Sequence, residues 1–131
     1  AIVMAAAVAD FRPVTRAEAK IKKGADEPEA LAFVRNADIL ADIATSRRRV
    51  GQVIVGFAAE TNDVIANGRA KLAAKGCDLI VVNEVGEHRT FDSEHNAATI
   101  LGADGSETVV EHGSKESLGH AIWDLVAARL G

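Results

Sequence analysis

The residues with the clearest chemical potential are lysines. Glu18-Ala19-Lys20-Ile21-Lys22-Lys23-Gly24 sets three lysines in four positions, shortly after the apolar run that ends in Ala9-Asp10-Phe11. Lys71 and Lys75 are spaced i, i+4, so they share one face of any helix that carries them. Cations grouped in this way suit the holding of phosphate, because each ammonium offers three donors and a full charge. The competing reading is solvation: a lysine-rich loop faces water, and Lys75 in a last helical turn complements the helix dipole. Two common phosphate signatures are missing. No G-x-G-x-x-G follows a strand, and there is no G-x-x-x-x-G-K-[ST]. Without a glycine-rich turn to offer backbone amides, bound phosphate must be held by side-chain cations.

Other reactive residues are poorly spaced. His88, His95, His112 and His120 show no metal-ligand spacing with one another or with Cys77, which speaks against zinc. Cys77 reads as an inert core thiol between a helix stop and a buried strand. Trp123 reads as core or interface, and Arg47-Arg48-Arg49 as a solvated helix terminus. No Ser-His-Asp arrangement can be argued from spacing.

The elements that must position these residues follow from composition and periodicity. The chain has 131 residues, 48% apolar but only 4% aromatic, so the core is built from Ala, Val, Ile and Leu. That is the composition of buried parallel strands covered by helices. A single domain of 1–131 is expected. The net charge of -4 argues against nucleic-acid binding through a global positive field. Nothing in the sequence approaches a membrane span. The single cysteine suits a reducing cytoplasm, the localisation expected here. The apolar opening has no basic leader and runs into a charged loop, so it reads as a strand rather than a signal peptide. The chain then starts as a piece of a larger protein would.

Residues 2–8 read as a strand buried on both faces, and 9–28 as a long loop with Pro13, Gly24 and Pro28. Residues 30–35 are a short strand, after which Asn36 caps a helix bearing Ile39, Leu40, Ile43 and Ala44 on one face. Residues 52–58 form the next buried strand, and Thr61 or Asn62 caps a helix to about Lys75 with Gly76 as its stop. Residues 78–83 are a third apolar strand, followed by a polar loop at 84–95. Asp104-Gly105 marks a hairpin, and Ser114 opens a last helix striped with Leu118, Ile122, Leu125, Val126 and Leu130. The fold class is therefore α/β: a Rossmann-like, mostly parallel sheet with helices on both faces and a C-terminal β-hairpin plus helix. Ligands of such sheets bind outside the carboxyl ends of the strands. Three polar clusters stand there: Ala9-Asp10-Phe11, the run from Phe57 to Thr61, and Asn83-Glu84.

Taken together and in order, "AAAVADF", "KIKK", "NADI", "GFAAET", the pair Lys71/Lys75 and "FDSEHNAA" resemble phosphopantothenoylcysteine synthetase. This is the ligase half of a bifunctional bacterial coenzyme A protein whose other half is a flavin decarboxylase. The likeness runs from about Ala1 to the last helix. It implies an enzyme that uses CTP, with magnesium, to activate phosphopantothenate as an acyl-cytidylate, which cysteine's amine then attacks. It also implies a homodimer, and FMN only on the decarboxylase half.

The resemblance assigns roles residue by residue. Asp10 matches a nucleotide-contacting aspartate, compatible with either magnesium or a nucleotide hydroxyl. Lys20 matches a lysine associated with the acyl-transfer chemistry. Asn36, Ala37, Asp38 and Ile39 match a short nucleotide-binding run, with Ala37 where a proline is common. Phe57 matches a ring beside the nucleotide, with a core phenylalanine as its alternative, and Lys71 and Lys75 match two further CTP contacts. The family's glycine-rich, phosphopantothenate-binding portion with its catalytic asparagine lies upstream of these motifs and is not in this sequence. The chain is thus expected to bind CTP without completing the reaction. Two other classes compete: a Rossmann-type dinucleotide-binding domain of an oxidoreductase, and a non-catalytic partner-binding domain.

Overall fold

A computed structural model of the chain describes residues 1–20, 30–85 and 95–131. β-Branched and small apolar residues without charge favour a pleated, doubly covered strand. The runs that meet this rule are β4 (Ile54–Glu60) and β5 (Leu79–Glu84), preceded by β1 (Ile2–Val3), β2 (Phe11–Pro13) and β3 (Phe33–Arg35). Strands β6 (His95–Gly102) and β7 (Glu107–Ser114) follow, with helices α1 (Ile39–Thr45), α2 (Val64–Lys75) and α3 (Lys115–Leu130) between and after them. The main sheet has the order β1-β4-β5-β6-β7. Strands β1, β4 and β5 run parallel, and β6 and β7 add antiparallel.

Alternation of side chains gives the sheet two cores. Val55, Leu79, Val81 and Ile100 pack with Leu118, Ile122 and Val126 of α3. On the other face Ile54, Ile80, Val82 and Leu101 pack with Leu40 and Ala44 of α1 and Leu72 of α2. Helices on both faces of the sheet are the α/β arrangement the sequence predicts, but the sheet is mixed rather than mostly parallel. Two of its four strand pairings are parallel, and the C-terminal hairpin supplies the two antiparallel ones at its edge. Close approach is set by glycine: a Cβ on Gly68 of α2 would lie 2.7 Å from Val82 Cγ2 and 2.8 Å from Leu101 Cδ1.

The chain divides into a sheet unit, Ala1–Ala5 with Ile39–Gly131, and a ribbon unit, Ala6–Asp38. In the ribbon unit β2 and β3 pair antiparallel, with Phe11 opposite Arg35 and Pro13 opposite Phe33. This corrects two expectations. Residues 9–28 are not wholly loop, because Phe11–Pro13 form a strand. The strand expected at 30–35 is only Phe33–Arg35, and it belongs to the ribbon rather than to the parallel sheet. The first strand is also shorter than expected: β1 is Ile2–Val3 and half-buried, and Ala5 to Ala9 are exposed.

Gly76 stops α2 with φ 67 and donates its N–H to Leu72 O, as expected of a left-handed cap. The start differs. Asp63, not Thr61 or Asn62, precedes α2, with φ 43 and no side-chain capping bond. Ser114 caps α3 as predicted, its hydroxyl accepting from Ser117 N at 3.1 Å. Asn36 does not cap α1, which begins at Ile39. Arg47 is not merely solvated either: it donates to Asp78 Oδ2 at 2.7 Å, Gln52 O at 2.7 Å and Gly76 O at 2.9 Å. Asp78 Oδ2 in turn accepts from Ile54 N at 2.7 Å, so the pair ties the α1 end to the entrances of β4 and β5.

Candidate functional site

The carboxyl ends of β4 and β5 carry polar residues on strands that are apolar elsewhere. Register decides which face each one takes. Phe57 lies opposite Val81 and Ala59 opposite Asn83, so all four share the α3 face. Phe57 is half-buried and packed against the core on that face, so the ring is both partly core and partly accessible. Asn83 is partly exposed as a residue, yet its Oδ1 is buried and has no hydrogen-bond partner among the described residues. Orphaned buried acceptors are costly and are found where a ligand or water is received.

Glu60, one residue on from Ala59, takes the opposite face, where α2 packs. Its carboxylate is buried and lies 2.6 Å from Lys71 Nζ, while Lys71 itself is about half exposed. Lys75 stands one turn further along α2, on the same face. Burial of an acid at a strand end is tolerable only because the ammonium compensates it.

On the ribbon unit, Asn36 is fixed at both ends of its amide. Its Oδ1 accepts from Arg12 Nη1 at 2.8 Å, its Nδ2 donates to Ala9 O at 2.7 Å, and its backbone N–H donates to Asp10 O at 2.8 Å. Asp10 and the run beginning at Asn36 are thereby brought side by side. Arg35 lies over the Phe11 ring, 5.6 Å from its centroid. Ala37 and Asp38 follow in exposed backbone, and Ile39 opens α1, itself partly exposed. Lys20 is exposed, and its neighbours Ile21, Lys22 and Lys23 lie outside the described residues.

The sequence pointed to Asp10, Asn36 and Lys71 but not to what holds them. Arg12 as the clamp on Asn36, and Glu60 as the partner of Lys71, are contacts between residues distant in the chain. The available signal for Glu60 was an acid closing an otherwise uncharged strand. Trp123, expected as core or interface, is 56% exposed on α3, so core packing is not its role. Cys77 is buried, and desolvation pushes its thiol above the ordinary range, as an inert core thiol requires. Among the described residues no three His, Cys, Asp or Glu side chains gather into a metal-binding group. No described helix is long and apolar enough to cross a membrane.

Comparison with known proteins gives a consistent set of likenesses. Residues 1–130 match the family model described as the DNA/pantothenate metabolism flavoprotein C-terminal domain. The coenzyme A biosynthesis bifunctional protein CoaBC of Mycolicibacterium smegmatis is 54% identical over 98% of this chain, and that of Vibrio cholerae is 41% identical over 92%. The chain spans about a third of the length of these curated relatives, 33% and 30% respectively. Among solved structures, the C-terminal domain of CoaBC superposes with a TM-score of 0.69 at 26% identity, covering 95% of this chain and 52% of that one. A Cab2 variant in complex with phosphopantothenate-cysteine superposes with a TM-score of 0.53 at 15% identity over 77% of this chain and 32% of that one, a likeness of fold.

Proposed function

The chain belongs to the family of the DNA/pantothenate metabolism flavoprotein C-terminal domain, and from that premise we propose that it is the CTP-binding part of a phosphopantothenate–cysteine ligase in coenzyme A biosynthesis. In this reading it lacks the N-terminal portion of the ligase domain, binds CTP, and does not turn over alone. The full-length protein carries a flavin decarboxylase with FMN on that half, acts as a homodimer through the ligase domain, and works in the cytoplasm.

The observation that carries the reading is the half-exposed Lys71, ion-paired to Glu60 at the carboxyl end of β4, where doubly wound sheets bind ligands, with Lys75 one turn further along α2. Both ammonium groups are assigned to the triphosphate. Phe57 is assigned to the base and the orphaned Asn83 Oδ1 to a donor on the nucleotide. On the ribbon unit Asp10, Lys20, Asn36, Ala37, Asp38 and Ile39 of the adjoining helix keep the nucleotide roles implied by the family.

The chemistry asks for cations. The phosphopantothenate carboxylate attacks the α-phosphorus of CTP, the bond to the β-phosphate oxygen breaks, and pyrophosphate leaves with the electron pair. Cysteine's amine then attacks the acyl carbon, and CMP departs as the amide forms. Charge gathers on the leaving pyrophosphate, where fixed cations stabilise it most. Magnesium bound to the triphosphate supplies further charge neutralisation, a mode that needs one or two carboxylates rather than a dedicated protein cage. Asp10 is the carboxylate we assign to that role or to a nucleotide hydroxyl.

Calorimetric titration with CTP, ATP and NAD tests the reading. CTP is expected to bind most tightly. A preference for NAD would instead support a dinucleotide-binding oxidoreductase domain, and no saturable heat with any of them would support a partner-binding role.

A further inference from the structure

Among the described residues Glu60 is the buried charged side chain, and its place is expensive. A carboxylate withdrawn from water loses its hydration and must recover that loss from a partner. The same ion pair made by an exposed glutamate on the helix would cost far less. Glu60 is also rigidly held: it closes β4 opposite Glu84 of β5, and its backbone carbonyl accepts from Val85 N at 2.9 Å. Its partner is the opposite in character. Lysine has a long flexible stem with much rotamer freedom to lose, and Lys71 is about half exposed.

We propose that Glu60 is a positioning residue, which holds the Lys71 ammonium in place for a nucleotide's β- and γ-phosphates. The proposal rests on the reading that Lys71 meets the nucleotide. The ammonium has three N–H groups. Its nitrogen lies 2.6 Å from Glu60 Oε1, a charge contact without hydrogen-bond alignment, and the exposed remainder of the group is left for phosphate oxygens. Fixing the lysine before the ligand arrives removes an ordering cost from binding.

The sign of the effect separates this role from simple proximity. A carboxylate beside an anion site repels phosphate, so neutralising it should tighten binding if charge alone matters. If position matters more, neutralising it weakens binding, and selectively for the nucleotide with the longer phosphate chain.

The test titrates CTP and CMP, with magnesium, into the full-length protein as wild type, Glu60→Gln, Glu60→Asp, Lys71→Met and the double variant Glu60→Gln/Lys71→Met. Glu60→Gln is expected to weaken CTP about tenfold while CMP changes little, and to add nothing once Lys71 is Met. CTP affinity that is unchanged or improved in Glu60→Gln, or equal losses for CTP and CMP, overturns the proposal. If Lys71→Met loses CTP while Glu60→Gln does not, the proposal falls and the reading of Lys71 stands. If Lys71→Met binds CTP like wild type, both fall. Should Glu60→Gln not fold, Glu60→Asp keeps the charge and withdraws it by one methylene. The same selective loss of CTP is then expected, and its absence overturns the proposal.

Discussion

A lysine that meets charge only as a transition state forms changes turnover more than binding. Lys20 is exposed on the ribbon unit, and the family resemblance ties it to acyl transfer. In the full-length protein, Lys20→Gln should cut product formation by orders of magnitude. CTP affinity should fall only about tenfold, or about 1.4 kcal/mol. Normal turnover at saturating CTP would reduce Lys20 to a binding group. Cys77 makes a second prediction at this scale. Burial raises its folded pKa above the unfolded value near 9.0. A group with a raised folded pKa contributes stability that is complete below the unfolded pKa and lost as pH rises through the folded one. Urea unfolding from pH 8 to 10.5 should therefore show a loss of stability above about pH 9 that is smaller in Cys77→Ala. Identical slopes for the two proteins would mean that the thiol does not titrate differently on folding.

An element's stability depends on what its face meets. Gly68 lies inside α2, where glycine costs about 1 kcal/mol relative to alanine. Propensity alone therefore predicts that Gly68→Ala stabilises. The added Cβ would instead press on Val82 and Leu101, both buried core residues. Overpacking costs about 1–3 kcal/mol, so the substitution should lower the urea midpoint; a raised midpoint would show that α2 can shift away from the sheet. The same contrast explains what the sequence made legible. The β4, β5 and β6–β7 segments declare themselves because their side chains are sorted by burial, and Gly76, Asp104-Gly105 and Ser114 because backbone geometry demands those residue types. The β2–β3 ribbon is different. Phe11, Phe33 and Val34 are all exposed, so no buried face imprints an alternation on it. Lys71 can be singled out as a candidate from its spacing alone, whereas its contact with Glu60 and the contact of Arg12 with Asn36 join residues distant in the chain and leave no local pattern.

The whole chain is acidic, at -4, and the ligand assigned to it carries about four negative charges of its own, so long-range attraction is unavailable. Under the proposed reading, binding rests on a few lysines and a metal. CTP affinity should fall when a chelator removes divalent cations and fall again as salt rises from 50 to 500 mM. Affinity indifferent to both would remove the phosphate-led mode. The β6–β7 hairpin has a consequence of a different kind, for the order in which the sheet is made. Leu101 pairs with Glu107 across a tight turn, and Ser114 leads directly into the helix that packs on the Ala98 and Ile100 face of the hairpin, whereas Ile2 must find Ile54. Distant pairs meet a loop-closure penalty before they are rewarded, so the C-terminal stretch is the natural nucleus and the parallel strands join it. Synthesis runs the other way: the ribosome releases β1, β4 and β5 first and the nucleus last. The apolar runs of β1, β4 and β5 must therefore wait for the hairpin to emerge, which makes them the segments where a chaperone is most needed.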